Sequence, residues 1–338
     1  MNDLPMRWST RLVDAPLGLV WTPVRVGDEI LVRVNNAAFR IDMADGTLRG
    51  RSIFDSQRSL GSFAAAAPGG MVTNVNTDGG ETGYLVWIAV DGRATRRLEL
   101  GYVKDAAPAA GSAELDVLVY RPGAGNHLVV VDRAAGTIVR SIELPFGASS
   151  SLRHDRGWLL SHTSPTDDGA GLYVIDERGA LSGRLVAPAV DNMVASERWV
   201  ATAMREPREW RVHIEVRDRG SLDLLWSNPA AATALAVDGD DLATVQGDSA
   251  GFLPALVDPE TGRARWRAGS PAASRPDIAG LFGPVAVFGI VTGVVVYRRS
   301  NGELLGYFQD LSYAVLHSGD DLILCGSSKV VCFSLAGL

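Results

Sequence analysis

Apolar and polar positions alternate along this chain in short runs, each ending at a glycine. The runs read FRIDMADG to Gly46, VWIAVDG to Gly92, LVVVDRAAG to Gly136, LYVIDERG to Gly179, IEVRDRG to Gly220, ALVDPETG to Gly262, VVVYRRSNG to Gly302 and VCFSLAG to Gly337. Runs this short, rich in Val and Ile and closed by turn residues, predict β-strands rather than helices. The glycines stand 35 to 46 residues apart, the period of a propeller blade with four strands.

A second punctuation precedes each glycine by about twenty residues, at Gly27-Asp28, Gly69-Gly70, Gly111-Ser112, 155–157, Ser196-Glu197, 238–241, Gly283-Pro284 and 318–320; such clusters mark tight turns. If strands are lettered A to D from the channel outward, this set separates A from B and the first set separates C from D. Seven D strands follow their glycines directly: TLRGRSI, RATRRLEL, TIVRSIE, ALSGRLV, SLDLLW, RARWRA and ELLGYF. The eighth repeat ends after its C strand, while residues 7–12 (RWSTRL) form an unassigned strand at the other terminus. The expected fold is all-β: an eight-bladed β-propeller of four-stranded antiparallel blades over residues 1–338, one domain, with the N-terminal strand closing the ring. Seven blades with one degenerate repeat is the alternative.

Residues 278–297 carry no charge over the length of a spanning helix. Gly280, Gly283, Pro284, Gly289 and Gly293 divide the stretch, and its β-branched content favours buried strands. Cys325 and Cys332, the two cysteines, fall diagonally across a tight hairpin and are expected to stay reduced in the core. With Lys plus Arg at 32 and Asp plus Glu at 39, the net charge is −7, which disfavours nucleic acid as a partner. The start of the chain lacks a basic stretch followed by an apolar run, so a cytoplasmic location and no membrane partner are expected.

ALVDPETGRARWRAG (255–269) resembles the repeat of the pyrroloquinoline-quinone-like propellers, in which an Asp, a Thr-Gly turn and a Trp one strand later recur in each blade; FRIDMADGTL and LVVVDRAAGTI are weaker copies. That superfamily includes periplasmic quinoprotein dehydrogenases and non-enzymatic scaffolds such as the lipoprotein subunit of the outer-membrane β-barrel assembly machine. The resemblance implies the fold without the quinone, because the chain has no adjacent cysteine pair, nor a cysteine near residue 1 for a lipid. No cofactor and no metal are expected. His154 and His162 with Asp167 or Asp168 form the best available metal set, and strand residues spaced that way more often do nothing together.

In up-and-down blades the A–B and C–D turns share one face of the ring, and the B–C and D–A connections share the other. B–C connections lengthen in blades 2, 4 and 5, at TDGGETG (77–83), PTDDGAG (165–171) and REPREW (205–210). Variable loops on a rigid scaffold carry function, which points to that face. Six D–A connections contain an Asp near the expected start of the innermost strand: Asp14, Asp55, Asp105, Asp191, Asp277 and Asp310. A ring of carboxylates at the channel mouth would attract a cation, an amine or a basic peptide; the competing reading is that Asp only caps turns. Arg205, Arg208 and Trp210, with Asp167 and Asp168, are the candidates for partner contacts, Trp210 as an aromatic anchor. Trp8, Trp226 and Trp266 on D strands are expected to wedge between blades.

The chain therefore reads as a monomeric scaffold that binds a protein, a peptide or a small cationic ligand on the face bearing the B–C and D–A loops. The alternative is a cytoplasmic hydrolase, lyase or cyclase using carboxylates at the mouth as acid and base.

Overall fold

The computed structural model describes residues 4–12, 23–35, 37–53, 63–77, 82–108, 112–154, 157–162, 170–186, 189–205, 212–248, 251–269, 276–312 and 314–338. Its strands form eight four-stranded antiparallel blades in a ring, with blades 1 to 7 each running A to D in sequence order. Seven blades are thereby excluded. The eighth blade runs Ala314–Ser318, Asp321–Cys325, Lys329–Ser334 and then Met6–Arg11, so the N-terminal strand closes the ring, its Arg7 paired with Asp321 at 2.6 Å. Blades 5 and 6 share one continuous strand, Leu224–Asp238, which serves as D of one and A of the next. No loop leaves the ring at that junction. The uncharged stretch resolves into strands Ile278–Phe282, Val285–Ile290 and Gly293–Arg298. Buried Val, Ile and Leu of B and C strands fill the space between neighbouring sheets. Cys325 and Cys332 are buried and unbridged in the core between blades 8 and 1, where burial pushes the Cys332 thiol up to about 12.

The repeated glycine serves the contact between blades. The Trp266 indole N–H donates to the Arg299 carbonyl of blade 7 at 2.7 Å, Trp226 to Pro259 of blade 6 at 2.6 Å and Trp8 to Met43 of blade 1 at 3.0 Å. Each ring covers the turn glycine of the next blade: a Cβ on Gly302, Gly262 or Gly46 would lie 2.7 Å from it, and all three have positive φ. Glycine is needed there twice over, for the left-handed backbone and for the close approach. Matching C–D pairing puts Trp8, Gly50, Arg96, Arg140, Gly183, Trp226, Trp266 and Gly306 at one plug position around the ring, just after the bulge in every D strand. Arginine substitutes by laying its stem on the glycine, as Arg96 does on Gly136, or by reaching the turn carbonyl, as Arg140 does to Glu177 at 2.6 Å. Beside Arg140, blades 3 and 4 leave a cavity of about 220 Å³ floored by Trp158.

The blade 4 plug is Gly183, and the turn of the next blade departs from the repeat. Gly220 is the expected turn glycine of blade 5, yet the residue with positive φ (62°) whose N–H bonds back to Asp218 is Leu222, at 2.9 Å. Its side chain packs into the core between blades 4 and 5. A leucine in this conformation costs about 1–2 kcal/mol, against which stands the apolar contact it makes in that core.

The recurrent Asp of the repeat is a turn former. Asp42, Asp132, Asp176, Asp218 and Asp258 each accept backbone N–H groups of their own C–D turn. The Arg49 guanidinium and the Ala44 N–H hold the Asp42 carboxyl below its ordinary value. C–D turns also bond to A–B turns of the same blade, as Met43 N–H does to Asp28 and Arg299 N–H to Pro284, which places both sets on one face.

Trp266→Ala should lower the unfolding free energy by about 3–5 kcal/mol and Gly302→Ala by more than about 1 kcal/mol. In urea titrations of a double-mutant cycle the pair should cost less than the sum, because removing the indole removes the clash; additive costs would show that the two positions do not form one contact.

Candidate functional site

The opposite face, where B–C and D–A connections emerge, is built differently. Strand A is irregular in four successive blades, the last being blade 6, where its register against strand B shifts between Ala231 and Leu235. Pairing between A and B skips Lys104 in blade 3 (Tyr102–Pro108), Ser149 in blade 4 (Ala148–His154) and Asp191 in blade 5 (Ala189–Ala195). A bulge re-aims side chains and breaks the ladder, and bulges concentrate near functional sites. The long B–C connections fall in blades 2, 4 and 5, between strands ending at Asn76, His162 and Arg205 and those starting at Gly83, Gly171 and Val212. Blades 1 and 7 need only two residues there, after Val34 and Ile290.

The six aspartates meet different fates. Asp14 and Asp55 stand outside the described residues. Asp105 lies inside strand A of blade 3, half-buried, its carboxylate accepting the backbone N–H groups of Ala106 and of Ser151 in blade 4; burial raises its pKa despite those bonds. Asp191 is ion-paired, taking Arg205 Nε at 2.8 Å and Nη2 at 2.7 Å. A mouth carboxylate and a proposed partner residue thus bind one another within blade 5. Asp277 directly precedes strand A of blade 7 and is exposed; its N–H donates to the Gly289 carbonyl at 3.1 Å, and its carbonyl accepts Thr233 Oγ1 at 3.3 Å. Asp310 immediately follows strand D of blade 7 (Leu304–Gln309), with φ of 60°, four positions ahead of strand A at Ala314. It sits at the outer end of its connection, because the expected strand A started too early.

Arg208, Trp210, Asp167 and Asp168 stand outside the described residues. His154 and His162 do not converge: the His154 backbone pairs with Gly157 at the A–B end of blade 4, and His162 pairs with Ala148 at the other end. Among the described residues no group of three His, Cys, Asp or Glu is placed to hold a metal ion.

Several polar residues at this end escaped the sequence reading. Arg33 is fully buried in strand B of blade 1 (Glu29–Val34), donating to the carbonyls of Asn35 and Asn74, each at 2.7 Å, and to Thr73 Oγ1. Asn76 ties blade 2 to blade 3 by donating to the Val103 carbonyl at 2.7 Å and accepting its N–H at 2.9 Å. Asn192 reaches the Thr233 carbonyl of the next blade at 2.9 Å. Lys104 is half-buried, and its Nζ donates to Asn126 Oδ1 at 2.8 Å. Burial holds the Lys104 amine below its usual range. A polar residue interrupting an apolar B strand, as in EILVRV, was the available signal for Arg33. Lys104 is one of two lysines in the chain.

No family model matches the chain, and no curated protein matches it. Among solved structures it is similar to BamB from Moraxella catarrhalis, at 14% identity with a TM-score of 0.65 over 98% of this chain and 99% of that one. The Dos1 propeller shares 12% identity (TM-score 0.68, 98% of this chain and 95% of that one). Saccharomyces cerevisiae Sqt1 shares 9% (TM-score 0.70, 98% and 99%). These are β-propellers. At such identities the likeness establishes the fold alone.

The pH dependence of Asp105 has a definite sign. A carboxyl raised above 3.8 in the folded state binds its proton more tightly there, so its charged form weakens the fold as pH rises through the raised value. Asp105→Asn should therefore gain melting temperature relative to the parent near about pH 7 and lose that gain below 3.8. A difference that stays flat between the two conditions would show that burial of the charge does not govern this position.

Proposed function

We propose that this chain is a protein-binding scaffold, a single-domain propeller that captures a protein or peptide on the face bearing the B–C and D–A connections, over blades 2 to 5. The observation that carries this reading is the lengthening of the B–C connections in blades 2, 4 and 5, beside inner strands that are irregular in blades 3 to 6. The other face is committed to holding the ring: its aspartates cap turns, its tryptophans plug blades, and Arg299 binds Asp238 and Asp241 of the preceding blade. Conserving one face for architecture leaves the other for recognition. With a net charge of −7, a basic peptide or a small cation is the complementary partner. On this reading the protein works as a monomer in the cytoplasm, with no cofactor and no membrane contact, and shares its superfamily with the quinone-like propellers.

The burial-raised carboxyl of Asp105 favours a second reading, an acid–base enzyme at the channel mouth. That reading needs another carboxyl facing it across a closed cavity.

Immobilised protein should retain a partner from cell extract in a salt-sensitive way. Trp210→Ala and Arg205→Glu should each reduce retention at least about tenfold, a loss of roughly 1.4 kcal/mol, while Arg263→Glu on the opposite face leaves it unchanged. Retention that follows Arg263 instead, or ignores all three substitutions, would reject the assignment of this face.

A further inference from the structure

Lys104, a described residue at the channel mouth, has its chemistry left incomplete. An ammonium has three N–H donors, and the Lys104 ammonium has one hydrogen-bond partner, Asn126 Oδ1 at 2.8 Å. The Tyr120 ring lies 6.0 Å away, at the limit of a cation–π contact. No carboxylate pairs with Lys104, in a chain where most described arginines have one. A half-buried cation without a counter-ion is costly unless something supplies one.

The surroundings show what would fit. Across the junction to blade 4, Gly147 stands between two polar groups: the position a Cβ would take lies 3.6 Å from Lys104 Nζ and 3.6 Å from His162 Cε1. His162 Nδ1 lies 2.6 Å from the Gly147 carbonyl. A carbonyl can only accept, so Nδ1 carries the proton and the imidazole is held in one orientation. Phe146 stacks on Tyr173 with ring centroids 4.0 Å apart, and Phe146 and His162 centroids are 5.9 Å apart. Arg184 lies over the other aromatic of the pair, 5.3 Å from the Tyr173 ring, and adds positive potential. One ammonium, one amide and an aromatic wall match a single carboxylate carried on an apolar body. A phosphate would call for more donors than these.

We infer that Lys104, with Asn126 and His162 beside it and Phe146, backed by the buried Tyr173, as its wall, forms a carboxylate-binding subsite at the junction of blades 3 and 4 on the loop-bearing face. The carboxylate comes from one of two sources with the same chemistry: a free aryl or alkyl acid, or the C-terminus of a peptide ending in an apolar residue. Only the second source rests on the scaffold reading above.

The two lysines allow a test with an internal reference. The whole protein is acetylated briefly with limiting acetic anhydride, and modification of Lys104 relative to Lys329 is read by peptide mass spectrometry. Phenylacetate, or a pentapeptide ending in Phe with a free carboxylate, should protect Lys104 about tenfold when present at ten times its Kd, with Lys329 unchanged. Phenylacetamide and the C-terminally amidated peptide should not protect. Calorimetric binding of the protecting acid should vanish in Lys104→Met and persist in Lys104→Arg, with folding of both variants checked by melting temperature. Protection by phenylacetate alone assigns a small-molecule acid and leaves the scaffold reading to its own experiment; protection by the peptide acid assigns a C-terminus. Failure of both acids to protect, or equal protection by the neutral amides, would overturn the subsite.

Discussion

Everything in this ring depends on how one blade closes against the next. A four-stranded sheet exposes two faces and cannot bury both alone, so each junction must be filled from one side or the other. At four junctions the plug position supplies that filling through a side chain of the outermost strand laid over a left-handed turn of the following blade. Tryptophan does this best, because its ring covers the glycine while its N–H satisfies a turn carbonyl that would otherwise lack a partner. Arginine shows a second solution, Arg96 laying its stem on Gly136 and Arg140 donating its guanidinium to the turn carbonyl of Glu177. Leu222 stands apart, the turn itself carrying a side chain into the core between blades 4 and 5. Closure by residues Met6–Arg11 extends the same contact to the junction between the last blade and the first, through Trp8 over Gly46.

This division of labour separates the two faces chemically. On the A–B and C–D side, Asp, Arg and Trp are consumed by turns and junctions, and the geometry repeats from blade to blade. On the other side the polar residues vary along blades 1 to 5: a buried arginine in blade 1, asparagines in blades 2 and 5, a lysine and an aspartate in blade 3, a histidine in blade 4. Repeated chemistry marks what the fold needs from every blade. Chemistry confined to one blade is free to serve recognition, and it stands beside inner strands that are irregular in four neighbouring blades.

The aspartates show how sequence spacing misleads at this level. Asp42 and Asp258, like Asp105 and Asp191, sit near glycine-rich or strand-end positions, yet the first two cap turns, Asp105 bridges to a neighbouring backbone N–H and Asp191 binds Arg205. Asp310 belongs to the outer end of its connection, a shift of a few residues that moves a side chain across the width of a blade. Lys104 passed unnoticed because nothing in its neighbourhood along the chain distinguishes it. Its partner Asn126 lies 22 residues on in another strand of the same blade, while Gly147 belongs to the connection to blade 4 and His162 to blade 4 itself.

The sequence by itself determined the all-β class, the eight blades, nearly every A–B and C–D turn and the closing strand, since these rest on short-range signals: period-two burial, turn residues and a repeat near forty residues. Only the tertiary structure decided that Leu222 replaces a glycine, that Asp191 is neutralised by Arg205 and that Lys104 faces His162 across a blade junction. Those facts depend on contacts between strands distant in sequence, where bulges and register set the direction of each side chain. A pattern along one strand carries no information about the strand that will stand beside it.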